Sequence, residues 1–439
     1  MNEKTAKSKG WTVALAGTGI NLALGVLYAW SIFKGSITES INKGGEGAFT
    51  WDLASINDPY ATACLVFAFI MIVAGKFQDK IGPRYTAMLG GVLVGAGFIL
   101  ASQSNNYWAW VIGFGVMAGA GFGFGYAAAT PPALKWFPPA KTGLIAGIVV
   151  AGFGLAPVYI APLGTYLLGA YGLSTAMLIL GVAFIGIVCG MAMLISNPPQ
   201  GYVAGAPAAA GAANKPAKAT VDATPSQLLK EGRFYTLWLT FFIGSGAGLM
   251  VIGSIAGMAK QSMGTLAFLA VAIMAVGNAS GRVVAGVLSD KIGRANTLVI
   301  MLLFQATLMF AAIPVIGASH GNAILIVLLA TFIGFNYGTN LCLFPSFAKD
   351  LWGLKNFGSN YGLLFTAWGA GGFILVKVAE LLKAKFGSFT VSFAAAGVLL
   401  LIGAVMSLSL RPRRVDAEAT APALTGVEEE DLVMQEIRK

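Results

Sequence analysis

The sequence predicts an all-α membrane protein with twelve transmembrane helices in two pseudo-symmetric six-helix halves. Three observations support this prediction. Hydrophobic residues make up 57% of the 439-residue chain and charged residues only 10%, whereas about a quarter of an ordinary soluble chain is charged. Long apolar runs recur along the chain, and the mean hydropathy is +0.77. A loop motif also occurs twice, with its first glycine at Gly75 and again at Gly286, an offset of 211 residues.

The apolar runs fix the number of spans. A helix of about 20 apolar residues crosses a hydrocarbon core of roughly 30 Å. Polar or Gly/Pro breaks separate twelve such runs. They lie near residues 11–33, 59–77, 85–102, 108–134, 142–168, 172–195, 234–258, 264–288, 295–317, 322–346, 358–382 and 388–410. The first run is too long for the apolar part of a signal peptide, so we interpret it as a retained span.

Basic residues predict the orientation. If the N-terminus is cytoplasmic, most Lys and Arg residues beside the spans fall on the inside. Those that fall outside are Lys34, Lys43, Lys260, Lys383 and Lys385. Both termini are therefore expected in the cytoplasm. This distribution accounts for the net charge of +10 without nucleic acid, and the lipid bilayer is the expected surrounding.

The domain plan follows from composition. Residues 1–197 and 231–410 form the two halves. Residues 198–230, rich in Ala, Pro and Gly, form a flexible cytoplasmic linker, and residues 411–439 a polar cytoplasmic tail. The stretch GFGFGYAAATPP at 121–132 matches the frame of GFNYGTNLCLFP at 334–345, so spans four and ten are expected to be equivalent helices that line a cavity.

The repeated loop motif reads GKFQDKIGPR at 75–84 and GVLSDKIGR at 286–294. We expect its glycines to allow close helix contact and its charged residues to hold neighbouring helix ends together. The residues concerned are Gly75, Asp79, Lys80 and Arg84 in the first copy, and Gly286, Asp290, Lys291 and Arg294 in the second. The pattern resembles the loop signature of the major facilitator superfamily, which occurs between spans two and three and between spans eight and nine.

Three further stretches narrow the resemblance. They are GVLYAW at 25–30, KWFPPAKTGLIAGIVVAG at 135–152 and EGRFYTLW at 231–238. They resemble the oxalate/formate antiporter family, and within it most closely bacterial monocarboxylate (lactate) transporters. This resemblance implies a multi-pass carrier in the cytoplasmic (inner) membrane, which we expect to be monomeric.

One cation lies in the middle of a span. Arg282 is in span eight, and apart from Glu380 no acidic residue falls inside any predicted span. A cation at that depth is costly and indicates function. A guanidinium binds a carboxylate through two parallel hydrogen bonds, and the resemblance implies that role for Arg282. Asn278 lies one turn earlier on the same face, where the similar animal monocarboxylate transporters carry an aspartate.

A second departure from the relatives concerns selectivity. Oxalate exchangers carry a lysine at the position of Trp368, so a single central cation here predicts a preference for monoanions with a small apolar tail. Interhelical packing and substrate contact are equally compatible with the other polar residues of the spans. These additional wall candidates are Tyr28, Tyr126, Asn336, Tyr337 and Asn340.

Proton coupling has three possible carriers. The substrate can cross as its neutral acid, Glu380 can accept the proton, or Lys377 can release it. Lys377 and Glu380 are three residues apart on one helix, where they can pair. We favour this pair as the proton-coupling element.

The leading functional hypothesis is a secondary active transporter of small monocarboxylates such as L-lactate or pyruvate, coupled to protons and working by alternating access. The alternative is an oxalate/formate-type anion exchanger. An enzyme is not expected, because the spans hold no recognisable catalytic set, and a receptor would be expected to carry a folded extramembrane domain. No cofactor or metal is expected, since Cys64, Cys189 and Cys342 have no metal-ligand spacing.

Overall fold

The computed structural model describes residues 3–138, 142–199, 202, 222–316, 322–353 and 356–411. A few side chains within these ranges, including that of Asp79, lie outside the described part. Residues 203–221 of the predicted linker and the predicted tail beyond Arg411 also lie outside it. The described residues form helices and no strands.

The number of spans agrees with the prediction. Eleven helical segments of the described chain are long and apolar enough to cross a membrane. One of them, Leu144–Ala192, contains two spans, because the helix is interrupted at Gly172, whose φ of 76° lies in the left-handed region. The described residues therefore form twelve spans in an all-helical bundle.

The first half contains spans one to six. Span one continues well beyond its predicted end at residue 33, and span two begins one residue earlier than predicted. Span one consists of the helix Glu3–Leu24, the 3-10 turn Gly25–Ala29 and the helix Trp30–Lys43, and the 3-10 turn Leu53–Ser55 follows it. Span two is Asp58–Ile81 and span three is Pro83–Ser102. Span four consists of Tyr107–Trp110, the π-helix Val111–Ala118 and Gly119–Lys135, and spans five and six form the helix Thr142–Ala192.

The second half contains spans seven to twelve. Its elements are a short helix Pro225–Leu228, Gly232–Ile252 for span seven, a short helix Ile255–Met263 with a 3-10 turn Gly264–Leu266, Ala267–Ile292 for span eight, Arg294–Ile316 for span nine, Ala323–Trp352 for span ten, Phe357–Phe386 for span eleven, and Thr390–Ser407 with a 3-10 turn Leu408–Leu410 for span twelve.

The two loop motifs form equivalent turns. Span two ends at Gly82 with φ 94°, and span eight ends at Gly293 with φ 85°. In each turn the glycine N–H donates to the carbonyl four residues earlier. We call the end of the bundle that contains these turns the motif end. The opposite end, which contains the turns at Gly44 and Gly387, is the far end.

The halves meet along two helix pairs. Span five packs against span eight, and span two packs against span eleven. Within the second half, spans eight and ten approach so closely that a methyl group at Gly281 or Gly338 would overlap a backbone carbonyl of the other helix. This packing holds the middle of span eight against span ten.

The last residues of the predicted flexible linker are docked on the second half. Ala223 donates its N–H to the carbonyl of Trp352 (3.1 Å), and its own carbonyl accepts from the side chains of Asn356 (3.1 Å) and Asn360 (2.9 Å). Thr224 then caps the short helix Pro225–Leu228 through a reciprocal contact with Gln227. The chain is thus fixed to the motif end of spans ten and eleven before span seven begins.

Candidate functional site

Arg282 lies at the middle of the bundle, between the two halves. Its side chain is 1% exposed. Nη1 donates to the carbonyl oxygen of Val150 in span five at 2.6 Å, and Nε donates to Oδ1 of Asn278 at 3.1 Å. Nη2 is buried and has no hydrogen-bond partner. A charged donor that is buried and unpaired is energetically costly, and an anionic acceptor would remove that cost.

Arg282 also lacks an acidic partner. The ion pairs among the described residues join Lys34 with Glu380, Lys43 with Glu39, Arg294 with Asp290 and Asp350, and Lys377 with Asp58. None of them includes Arg282. Within the described part of the chain, its hydrogen bonds go to neutral dipoles, namely the Val150 carbonyl and the Asn278 amide.

Three aromatic side chains form a hydrogen-bonded bridge between the halves. Nε1 of Trp368 in span eleven donates to the hydroxyl of Tyr337 in span ten at 2.8 Å. That hydroxyl lies 2.5 Å from the hydroxyl of Tyr28 in span one. All three residues are buried. The sequence singled out each of them separately, and the structure brings them together.

This bridge adjoins the arginine. The Tyr28 ring packs edge-on against Phe153, with ring centroids 4.9 Å apart. The next residue, Gly154, faces Arg282, because a methyl group there would lie 3.2 Å from its Nε. Gly154 therefore leaves the space in span five that the guanidinium occupies.

Further aromatic rings from both halves surround this bridge and form the wall of the central site. Tyr126 stacks on Phe365 with centroids 5.9 Å apart and packs edge-on against Phe153 at 5.5 Å. Phe67 contacts Trp368 at 5.0 Å. Phe67 and Phe365 were not selected from the sequence, because an apolar aromatic residue in a span carries no signal that separates a site wall from ordinary packing.

Asn336 and Asn340 have other surroundings. Asn336 donates to the carbonyl of Phe332 (3.0 Å) in its own helix, and its Oδ1 is buried without a partner. Asn340 lies against span seven, where a methyl group at Gly244 would be 3.0 Å from its amide. Among the described hydrogen bonds, none joins either asparagine to Arg282.

The second loop motif forms a charged latch at the motif end. Arg294 pairs with Asp290 at 2.7 Å and with Asp350 of span ten at 3.2 Å, and it also donates to Ser289. Gly286 faces Cys342 of span ten, and Lys291 is exposed. In the first motif, Gly75 lies against Gly358 of span eleven, whereas Lys80 and Arg84 are exposed.

Four charges cluster at the far end, and they do not pair as predicted. Lys377 pairs with Asp58 (2.6 Å), and Glu380 pairs with Lys34 (2.7 Å). The predicted contact between Lys377 and Glu380 is therefore absent from this conformation. Both side chains reach across to the first half, where an opposite charge meets each of them. We call Lys34, Asp58, Lys377 and Glu380 the far-end cluster.

Neighbouring polar groups complete the far-end cluster. One oxygen of Glu380, Oε1, also accepts from the Asn57 amide at 2.8 Å and from the Ser254 hydroxyl at 3.0 Å. The Tyr107 hydroxyl donates to Asp58 at 2.8 Å. Sequence reasoning missed Lys34 and Asp58, because each lies one residue outside a predicted span and was read as part of a loop.

A bundle of two six-span halves, with an uncompensated cation buried between them, defines a multi-pass membrane transporter. The family model of the Major Facilitator Superfamily matches residues 10–376. The chain therefore belongs to the major facilitator superfamily, and the resemblance stated from its loop motifs is confirmed.

Individual relatives are more distant. The chain is 30% identical over 373 residues to the uncharacterized MFS-type transporter YhjX of Escherichia coli (strain K12). The aligned region covers 82% of this chain and 85% of the relative. It is 26% identical over 375 residues to the oxalate:formate antiporter of Oxalobacter formigenes, covering 83% and 84%. Monocarboxylate transporter 11 of Mus musculus is 25% identical over 408 residues, covering 91% and 87%. The predicted relationship to both groups is thus confirmed.

Proposed function

We propose that the protein is a secondary active transporter of small monocarboxylates of the L-lactate and pyruvate type. The observation that carries the proposal is the buried Nη2 of Arg282, which has no hydrogen-bond partner and belongs to a cation without a carboxylate partner among the described residues. A substrate carboxylate supplies both the missing acceptor and the missing charge. Relatives named as monocarboxylate transporters agree with this ligand class.

The same contacts suggest how binding acts on the two halves. Nη1 donates to the carbonyl of Val150 in the first half, whereas Arg282 belongs to the second. Nη1 carries two N–H groups, so a carboxylate that takes Nη1 and Nη2 binds directly beside the Val150 carbonyl. Substrate binding therefore acts at a contact between spans five and eight, where the two halves meet, and this links occupancy to the rocking of the halves.

Selectivity for a single carboxylate follows from the neutral wall. Tyr28, Tyr337 and Trp368 are hydrogen-bonded to one another, and the neighbouring rings are apolar. A second carboxylate placed among them would be buried without a cation, which is strongly unfavourable. A methyl group or a short apolar tail fits that surrounding. The site accordingly favours monoanions over oxalate.

An exchanger of the oxalate:formate kind is the second candidate. A relative of that name covers 83% of this chain at 26% identity. Among the described residues, no acidic side chain pairs with Arg282, so a proton acceptor beside the bound substrate is lacking. An exchanger needs none. Transport measurements distinguish an exchanger from a proton-coupled symporter.

We propose proton symport, with the proton carried at the far-end cluster. Glu380 is 6% exposed and is the one acidic residue buried among the described residues. Lys377 and Glu380 remain the proposed proton-coupling residues, now each with a partner in the first half. We further propose that the motif end and both termini face the cytoplasm, because most basic residues beside the spans lie at that end.

Uptake of labelled L-lactate into proteoliposomes tests the proposal. Lactate should accumulate when the outside is more acidic than the inside, and it should do so without trapped internal anion. Proteoliposomes with Arg282→Lys give the background. Uptake that ignores the pH gradient and requires trapped lactate, formate or oxalate would instead establish the exchanger.

A variant tests the proton-coupling residues separately. In Lys377→Ala, the difference in lactate uptake between vesicles with an acidic outside and vesicles with an acidic inside should disappear, while lactate binding weakens much less. Lys43→Ala is the matched control, because Lys43 is an exposed far-end lysine that pairs only with Glu39 of its own helix. If Lys377→Ala keeps the full dependence on the gradient, Lys377 is not part of the coupling.

A further inference from the structure

The far-end cluster joins the two halves of the transporter by two ion pairs. Lys34 and Asp58 belong to the first half, and Lys377 and Glu380 belong to the second. Each ion pair crosses between the halves, at 2.7 Å and 2.6 Å respectively for the Glu380 and Lys377 contacts. Each half therefore contributes one cation and one anion.

These pairs lie where the far end must open. Alternating access requires the halves to separate at one end while they close at the other. Side-chain exposures of 14% for Lys34 and 7% for Glu380 show that this pair is closed off. Separation of the halves breaks both ion pairs at once. If the four charges then had no other partners, opening would lose the attraction of both ion pairs.

The second half contains an alternative pairing. Lys377 and Glu380 are three residues apart on the continuous helix Phe357–Phe386, which places their side chains on one face. In the closed far end both reach across to the first half. Once the halves separate, they can pair with each other without any change in the helix.

The first half also contains an alternative ion pairing. The Lys34 ammonium and the Asn57 amide both donate to the same oxygen of Glu380. Asp58 is the residue next to Asn57, so Lys34 already lies close to this segment. Trp30, one turn before Lys34, holds Asn57 by a hydrogen bond of 2.8 Å from its Nε1 to Oδ1. After separation, Lys34 can therefore take Asp58 as its partner.

We propose that the far-end cluster is a gate that exchanges ion-pair partners. When the far end is closed, the pairs are Lys34 with Glu380 and Asp58 with Lys377. When it is open, the pairs are Lys34 with Asp58 and Lys377 with Glu380. While Glu380 and Lys377 are both ionised, all four charges stay paired in both states, so opening costs little while the closed state is still held specifically. The inference rests on alternating access of the halves, but it does not depend on which substrate is carried.

Distances between spin labels test the gate without substrate. The labels are placed at exposed far-end positions on the two halves, Glu46→Cys and Lys385→Cys. The background chain has Cys64, Cys189 and Cys342 replaced. A second labelled chain, with Tyr85→Cys and Asn296→Cys, reports on the motif end. The measured quantity is the fraction of molecules with a long far-end distance.

A single neutralisation tests whether the ion pairs close the far end. Asp58→Asn removes one ion pair from each state, but the lysine left alone is partly buried between the halves when the far end is closed (Lys377) and meets water when it is open (Lys34), so the far-end-open fraction should rise. Glu39→Gln is the matched control, because it removes a carboxylate that pairs with Lys43 within one helix of the first half. Its distance distribution should equal that of the wild type. An unchanged distribution in Asp58→Asn would overturn the gate.

A charge swap tests the exchange itself. Asp58→Lys combined with Lys377→Asp keeps an ion pair in the closed state but gives the first half two neighbouring cations and the second half two neighbouring anions. Repulsion then opposes the open state, so the far-end-open fraction should fall below that of the wild type. A lock without partner exchange predicts no change from the wild type, and that result would overturn the proposal.

The fourfold swap completes the test. Adding Lys34→Asp and Glu380→Lys restores one cation and one anion in each half, and the far-end-open fraction should return toward the wild-type value. A cooperative thermal unfolding transition of the double variant shows that it folds. A fourfold variant as strongly closed as the double variant would contradict the exchange. Because no substrate is present, a failure of lactate uptake would remove the proposed substrate but leave these distances unaffected.

Discussion

The central site and the far-end cluster are both buried between the same two halves, yet they treat charge in opposite ways. Arg282 is a single cation that meets only a carbonyl and an amide, and its Nη2 has no partner. In the far-end cluster two cations meet two anions, and one carboxylate oxygen accepts three hydrogen bonds. The same interface is therefore electrostatically incomplete at its centre and complete at its far end.

This difference distinguishes a region that binds a ligand from a region that holds the two halves together. An uncompensated buried cation destabilises the empty protein and is relieved by an anionic ligand. In a compensated cluster every charge already has a partner, so the cluster contributes to the closed arrangement of the halves. Burial of charge alone would assign both regions the same role. The partners of each charge distinguish them.

Adding a second cation to the centre should change the contrast most. Trp368→Lys places a second cation among the aromatic rings of the central site and removes the ring that donates to Tyr337. The ratio of lactate to oxalate affinity should fall by about tenfold or more, because a dianion then gains a charged partner. Competition for labelled lactate by each anion measures this ratio.

The matched control keeps a neutral ring at the same position. Trp368→Phe loses the N–H donor but gains no charge, so lactate should still be preferred over oxalate. A wild type that binds oxalate more tightly than lactate would show that the centre is not a monoanion site.

Neutralising one charge in each region should move stability in different directions. Glu380→Gln leaves Lys34 without an anion and should cost about 2 kcal/mol, a value below that for a fully buried pair because Lys34 is 14% exposed. Arg282→Gln removes an uncompensated cation, so stability should be unchanged or higher. Thermal unfolding of the purified variants in detergent, without substrate, compares them. Equal loss in both would mean that Arg282 is a structural residue.

A smaller effect is expected from the aromatic bridge. Tyr337→Phe removes the hydroxyl that accepts from Trp368 and contacts Tyr28, and it should cost about 1 kcal/mol and slow lactate uptake. Tyr361→Phe provides the control, because the Tyr361 hydroxyl is buried without a partner. Its removal should be neutral or slightly stabilising. Thermal unfolding and uptake, measured on both variants, decide whether the bridge or mere tyrosine burial matters.

Sequence patterns predicted the fold better than the site. Apolar runs and the repeated motif gave twelve spans, and even the long helix Thr142–Ala192 was correctly divided near Gly172. Such features depend on local composition and on bilayer thickness, which a single sequence records directly. The isolation of Arg282 was also predictable, since it required only the scarcity of acidic residues in the spans.

The far-end cluster shows what a sequence does not record. Spacing three residues apart identified Lys377 and Glu380 as neighbours, but it reveals contacts only within one helix. Their actual partners lie more than 300 residues away in the chain, at the edges of spans one and two. Likewise, Nη1 of Arg282 donates to a backbone carbonyl of span five, and a backbone carbonyl leaves no residue-specific signal in the sequence.

Lactate binding to Arg282→Lys is the most direct test of the central claim. Lysine keeps the positive charge but cannot offer two parallel donors to a carboxylate. Titration calorimetry on the purified protein should show affinity reduced by about 10- to 100-fold, corresponding to about 1.5–3 kcal/mol for hydrogen bonds to a charged group. Arg233→Lys, at an exposed arginine, should bind lactate like the wild type. Unchanged lactate affinity in Arg282→Lys would contradict the assignment of the free guanidinium as the carboxylate site.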